Sequence, residues 1–304
     1  QSINELLGGL LIKLEETYAK YSPDAVLIQG DTTTALAGAI GAFHRQIPVL
    51  HIESGLRSGN KNSPFPEELN RRLIAQLSSL HFAPTERNVT NLINEGVAEE
   101  LVVLSGNPIV DSVVEVTRDR NIDPRCRDLL SKLTEHKIIV LTMHRRENFG
   151  ERVKDYFATI KEFVKAEEKF AVVLPLHPNP DARESAMAAF ASCDNVFLVE
   201  PFDYASFIHL LRSAWLAISD SGGIQEEVAT LGVPLLILRD NTERPEIVDS
   251  GVARLVKNAK ALEVELDQLS RGSTWPETIQ KTSNPFGTGN SAKIIARSII
   301  EFLS

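Results

Sequence analysis

The stretch WLAISDSGGIQEEVATL, residues 215–231, decides the fold. Residues 215–219 form a short, nearly continuous apolar run, as in a strand buried on both faces. The polar turn Asp220-Ser221-Gly222-Gly223 breaks that run, and the spacing predicts a helix over 221–231. A buried strand passing through a glycine turn into a helix is one β-α unit of a parallel sheet.

Working outward, the same unit recurs along the chain. Strands are predicted at 25–28, 48–52, 80–83 and 101–104, then at 138–142, 170–174, 196–199, 234–238 and 253–256. Helices fit between them, among them 3–18, 33–44, 67–77 and 153–165, with a last one at 291–303. This alternation predicts an α/β protein of doubly wound parallel sheets. At 304 residues the chain exceeds one typical core, so two domains are expected. The break falls after Leu104, where 105–108 lead into a helix over 109–118 and then a polar, Pro124-bearing segment to 137. The expected domains are 1–113 with the returning helix 290–304, and 114–289. The first domain opens on a helix and holds four predicted strands, so the reading expects upstream residues to be missing.

Composition excludes several classes. Net charge is -9, which disfavours nucleic acid and anionic membranes as partners. No apolar run approaches the ~18 residues that a bilayer requires. Cys126 and Cys193 lack metal-ligand spacing and do not demand a disulfide, so a reducing cytoplasm is expected. Aromatic content of 6% offers no base-stacking platform.

In open parallel sheets, chemistry gathers at the carboxyl ends of strands. The strand at 25–28 runs into QGDTTT, where Asp31 is either a helix cap or a functional acid. The next strand ends HIESGLR, with Glu53 needing a partner such as Arg57. PFPEELNR then places Glu67 in a helix's first turn, where an acid also suits the dipole. Together the three would crowd carboxylates around one site and raise one another's pKa, as proton transfer near neutrality requires. In the second half, MHRRENFG sets His144 beside Arg145 and Arg146, suited to an anionic leaving group or simply to an exposed basic loop. His177 in PLHPNP is a strand-end histidine framed by prolines, and a structural turn explains it equally. SDSGGIQEE is the strongest phosphate signal. Its glycines let a diphosphate approach, the helix start offers N–H groups, Glu227 suits ribose hydroxyls, and Arg244 in RDNTERPE supplies a cation. No Walker loop and no GxGxxG occur, which favours a nucleotide sugar over ATP or NAD.

Taken in order, QGDTTT, HIESGLRS, PFPEELNR, SGNPIVDSV, MHRRENFG, SDSGGIQEE and RDNTERPE resemble the non-hydrolysing UDP-N-acetylglucosamine 2-epimerases. The resemblance spans nearly the whole chain. It implies two Rossmann-like domains facing a cleft (GT-B type) and reversible conversion of UDP-GlcNAc to UDP-ManNAc. It also implies no metal or nicotinamide cofactor, a homodimer, and a role in supplying surface polysaccharides. It assigns Asp31, Glu53 and Glu67 to proton transfer at sugar C2 and His144 to the departure of UDP. Nucleotide contacts would be Phe207, Ser221, Gly222, Gly223, Glu227 and Arg244. A second, activating UDP-GlcNAc site would draw on Glu67, Arg145 and His177. The family's opening strand and Gly-Thr-Arg-Pro-Glu loop, on the order of 60 residues in two β-α units, have no counterpart here. A UDP-sugar glycosyltransferase of the same fold and a non-catalytic UDP-sugar binder are the alternatives.

Overall fold

The computed structural model describes residues 2–119, 121–143, 151–279 and 284–304. The chain divides into two units, Gln1–Asp111 with Phe286–Ser304, and Ser112–Pro285. Each carries its own parallel sheet, so the doubly wound α/β class expected from the apolar runs is the one found.

The first unit alternates α1 (Ile3–Tyr21), β1 (Val26–Gln29), α2 (Thr33–His44), β2 (Val49–Ile52), α3 (Glu67–Leu77), β3 (Leu80–Ala83), α4 (Glu86–Asn94) and β4 (Val102–Leu104). Its strands pair in chain order, β1-β2-β3-β4, all parallel. Successive side chains alternate between the sheet's faces. Val49 accordingly joins Ile28, Ala39 and Ile74 against the helices on one face. Leu50, Ile52, Leu80 and Phe82 pack on the other against Ile295 of the last helix, α14 (Ser291–Leu303). The start of α14 is held by Asp111, whose carboxylate accepts from the N–H groups of Ser291 (3.0 Å) and Ala292 (3.1 Å).

The second unit begins within α5 (Pro108–Val116), whose first turn belongs to the first. It runs α6 (Pro124–Lys132), β5 (Lys137–Thr142), α7 (Glu151–Ala166), β6 (Phe170–Pro175), α8 (Pro180–Phe190), β7 (Val196–Val199), α9 (Tyr204–Arg212), β8 (Leu216–Ser219) and α10 (Gly222–Leu231). It ends β9 (Leu235–Ile237), α11 (Pro245–Asp249), β10 (Ala253–Leu255), α12 (Ala259–Ser270) and α13 (Trp275–Ile279). Strand order is β10-β9-β8-β5-β6-β7. The chain winds outward from β5 through β6 to β7, then returns to lay β8 on the other side of β5. Neighbouring crossovers therefore part between β5 and β8, and the crevice beyond their carboxyl ends is where such sheets take ligands.

Most expected boundaries shift by one residue at strand ends. Leu101, expected in β4, closes a 3-10 turn over Glu99–Leu101 instead. The polar segment expected between the domains contains α6, which Asp123 caps by accepting from Arg125 N, with Pro124 in its first turn. Read as a break, Asp-Pro was a helix start. Among the described residues, no helix is long and apolar enough to cross a membrane.

Candidate active site

The topological switch point of the second unit is bound together by hydroxyls. Thr142 and Ser219 are register partners at the ends of β5 and β8, and their side-chain oxygens lie 2.8 Å apart. Ser219 Oγ also accepts from Ser221 N at 2.9 Å, fixing the turn that opens α10. Ser221 is the N-cap residue there, yet its side chain makes no capping hydrogen bond. Thr32, Thr85, Asp123, Asn179, Asp203 and Asn258 all cap their helices through side-chain oxygens. The Ser221 side chain thus does not close the start of α10, and the helix dipole stands behind the turn.

Arg244 lies against this turn. A Cβ on Gly222 would sit 3.0 Å from Arg244 Nη1 and 3.1 Å from Glu243 Oε1, so any other residue would push the guanidinium back by a few tenths of an ångström. Arg244 is buried and paired on both sides, with Glu226 Oε1 at 2.9 Å and Glu243 Oε1 at 2.6 Å. Glu243 in turn pairs with the buried Arg239 at 2.8 Å. These pairs aim Arg244 rather than leave it a mobile counter-ion. Gly223 is exposed, and a Cβ there would meet nothing within 4 Å. Among the described residues, no packing requires that position bare.

Glu227, one turn further along α10, is buried at 7% exposure. Burial pushes its carboxyl up to about 7, the charge of Glu226 adds to the rise, and a hydrogen bond from Tyr204 opposes it. A carboxylate so placed has strong demand for donors such as paired hydroxyls. Phe207 is half-buried on α9.

In the first unit, Asp31 and Glu53 leave the adjacent carboxyl ends of β1 and β2, where Gln29 and Ile52 are register partners. Glu53 has a left-handed backbone, φ 65, a costly conformation for a side-chain-bearing residue and one that functional sites retain. Its Oε2 lies 3.5 Å from the position of a Cβ on Gly30, immediately before Asp31. Asp31 does not cap α2; Thr32 does, accepting from Ala35 N at 3.2 Å. Asp31 instead binds Arg71 through Oδ2 (2.5 Å to Nη2), and its carbonyl accepts from Asn70 Nδ2 at 2.9 Å. Glu67 opens α3 three and four residues before Asn70 and Arg71, on the same helix face. The structure therefore sets Asp31 and Glu53 at adjacent strand ends and brings α3, headed by Glu67, against Asp31.

Arg57, expected to partner Glu53, is engaged by both carboxylate oxygens of Glu95 at 2.8 and 2.6 Å. Two residues of this site went unread. Glu68 is fully buried and accepts from Arg71 (2.9 Å), Arg72 (3.2 Å) and Ser58 N (2.9 Å), and Arg71 joins it to Asp31. The Glu-to-Arg spacing of three and four in EELNRR was the available signal. His144 and Arg145 lie outside the described residues. His177 is half-buried after β6, where Nδ1 accepts from Asn179 N at 3.0 Å, and Asn179 caps α8. Among the described residues, no group of three or more His, Cys, Asp or Glu could hold a metal ion.

Known proteins match this chain throughout. The family model described as UDP-N-acetylglucosamine 2-epimerase covers residues 1–300. The UDP-N-acetylglucosamine 2-epimerase of Neisseria meningitidis serogroup A is 39% identical over 306 residues, 99% of this chain and 82% of that protein. That of Bacillus subtilis is 40% identical over 304 residues, covering 99% and 78%. The crystal structure of the N. meningitidis enzyme bound to UDP-GlcNAc superposes with a TM-score of 0.94 at 38% identity, over 99% of this chain and 82% of that one. The Methanocaldococcus jannaschii enzyme, in complex with UDP-GlcNAc and UDP, gives 0.86 at 34% identity, covering 99% and 82%. These matches set aside the glycosyltransferase alternative. The chain belongs to the UDP-N-acetylglucosamine 2-epimerase family.

Proposed function

We propose that this chain interconverts UDP-N-acetylglucosamine and UDP-N-acetylmannosamine by eliminating and re-adding UDP. The observation that carries the reading is the start of α10, uncapped by a side chain, with Arg244 packed on Gly222 at the sheet's switch point, an arrangement suited to an anion. The proton at sugar C2 has no adjacent carbonyl, so its direct removal is very hard. Departure of UDP from C1 supplies the missing driving force. A carboxylate takes the C2 proton, the C2–H electron pair becomes the C1=C2 bond, and UDP leaves with the C1–O pair. The product pair is 2-acetamidoglucal and UDP. In the return step a UDP oxygen attacks C1 while a proton is delivered to the opposite face of C2. The cycle is redox-neutral and uses no cofactor.

In this reading Ser221, Gly222, Gly223 and Arg244 hold the diphosphate, Glu227 the ribose, and Phe207 the uracil side. Asp31, Glu53 and Glu67 transfer protons at C2, and His144 assists the departing UDP with Arg145 beside it. The adjacency of Asp31 and Glu53 at the ends of β1 and β2, with Asp31 tied to α3 through Arg71, supports that assignment. The resemblance further supports a cytoplasmic homodimer that supplies surface polysaccharide synthesis. It also supports an activating second site drawing on Glu67, Arg145 and His177.

Positional isotope exchange tests the elimination step. With 18O in the bridge between C1 and the β-phosphorus, the label should scramble into the non-bridging β-phosphoryl positions during turnover. Epimerisation with the label fully retained in the bridge would exclude free UDP as an intermediate.

A further inference from the structure

The two halves of the anion site come from segments some twenty residues apart, and one hydrogen-bond chain ties them. Gln225, fully buried on α10, donates Nε2–H to the carbonyl of Ser221 at 3.2 Å. Its Oε1 accepts from the Thr242 hydroxyl at 2.6 Å. Thr242 Oγ1 then accepts the backbone N–H of Arg244 at 3.1 Å. The polarity of this chain is determined at both ends. A carbonyl only accepts, so the amide NH2 must face Ser221; a backbone N–H only donates, so Thr242 must spend its proton on Gln225. Each group is matched once, with no choice of direction left. Ser221 is in turn held through Ser219 to Thr142, so the chain runs from the end of β5 to Arg244.

We infer that Gln225 and Thr242 are positioning residues that lock the glycine turn and Arg244 into a single preformed diphosphate cradle. Neither has an assigned contact with ligand; both act through Ser221 and Arg244. The effect is preorganisation. An anion meeting a turn and a guanidinium already in register does not have to order them, and a cradle whose halves drift must be reassembled at each binding event. Removing the Thr242 hydroxyl strands the buried Gln225 amide oxygen and frees the Arg244 backbone together. The inference rests on the reading that this turn and Arg244 bind diphosphate.

Calorimetry with UDP and with uridine, which lacks phosphates, tests it in the full chain. T242V and Q225M should weaken UDP by at least about tenfold, the loss of roughly one well-placed hydrogen bond. Uridine affinity should stay within about twofold, because Glu227 and Phe207 are untouched. T242S, which keeps the hydroxyl, should bind UDP within about threefold of wild type. T242V binding UDP like wild type while R244M has lost it would overturn the inference and leave the diphosphate reading standing. Equal losses for UDP and uridine, or T242S no better than T242V, would also overturn it. R244M binding UDP as well as wild type would instead bring down the diphosphate reading itself.

Discussion

Glu227 and Gly223 carry the sharpest consequences at the scale of single residues. Because burial holds the Glu227 carboxyl at about 7, it changes charge across the physiological range. In the proposed ribose contact the ionised form would accept from both hydroxyls, whereas the protonated form must spend one oxygen as a donor. Preference for uridine over 2′-deoxyuridine should therefore rise about tenfold from pH 6 to pH 8, following the ionised fraction. E227Q should bind with a flat profile, and a flat profile in wild type would remove Glu227 from the ribose site. The raised pKa also has a sign for stability. Between about 4.5 and 7 the folded state keeps a proton that the unfolded chain has released, so this group's contribution falls as pH rises. Gly223→Ala separates ligand space from folding. A Cβ there meets no atom of the described residues, so the melting temperature should stay within about 2 °C while UDP affinity falls. An unchanged UDP affinity would place the diphosphate elsewhere. Gly222→Ala should damage both, since Arg244 must move.

At the scale of elements, the carboxylate cluster depends on α3 and on the β2–β3 pair. Arg71 bridges Asp31 and buried Glu68. R71M leaves Glu68 with Arg72 and Ser58 N alone, and should destabilise by about 3 kcal/mol in urea titration. A loss below 1 kcal/mol would show the pair to be dispensable. His51 and His81 sit side by side in register on β2 and β3. His51 Nε2 meets the Gly30 carbonyl at 2.9 Å, so it is the protonated nitrogen and braces the turn before Asp31. Burial lowers the two rings to about 3 and about 4, with neighbouring arginine charge adding to the effect. Both stay neutral in the folded chain while the unfolded chain takes up protons below about 6.5. Stability from this pair is complete above that pH and is lost as pH falls toward 4, by up to ~1.4 kcal/mol per pH unit per ring. Subtracting the profile of H51Q from that of wild type isolates the His51 share; parallel profiles would contradict the assignment.

These elements show how much the sequence discloses. Short apolar runs mark the parallel strands, so β3 and β7 are legible to the residue, as are α2 with its Thr32 cap and α3 with its first-turn acids. The glycine turn was legible because strand, turn and helix follow without interruption. What stayed hidden is long-range. Asp31 and Arg71 are forty residues apart, and Gln225 and Thr242 seventeen, and no local pattern announces such pairs. Arg57 illustrates the converse, since proximity in sequence suggested Glu53 while the fold gives it to Glu95.

For the whole molecule, the division of labour is the claim. In the proposed function, residues Ser112–Pro285 hold the diphosphate and residues Gln1–Asp111 carry the proton-transferring acids. Nucleotide affinity and proton transfer should then fail separately. E53Q and D31N should keep UDP affinity within about threefold of wild type and lose turnover by at least about a hundredfold, the range of a general acid or base. Proton NMR of the protein with UDP-N-acetylglucosamine in D2O tests the central claim most directly. The account predicts a second UDP-sugar with the manno configuration, and deuterium at C2 of the sugar as it accumulates. No exchange at C2 under conditions where UDP binds, or an epimer that keeps its original C2 proton, would contradict it.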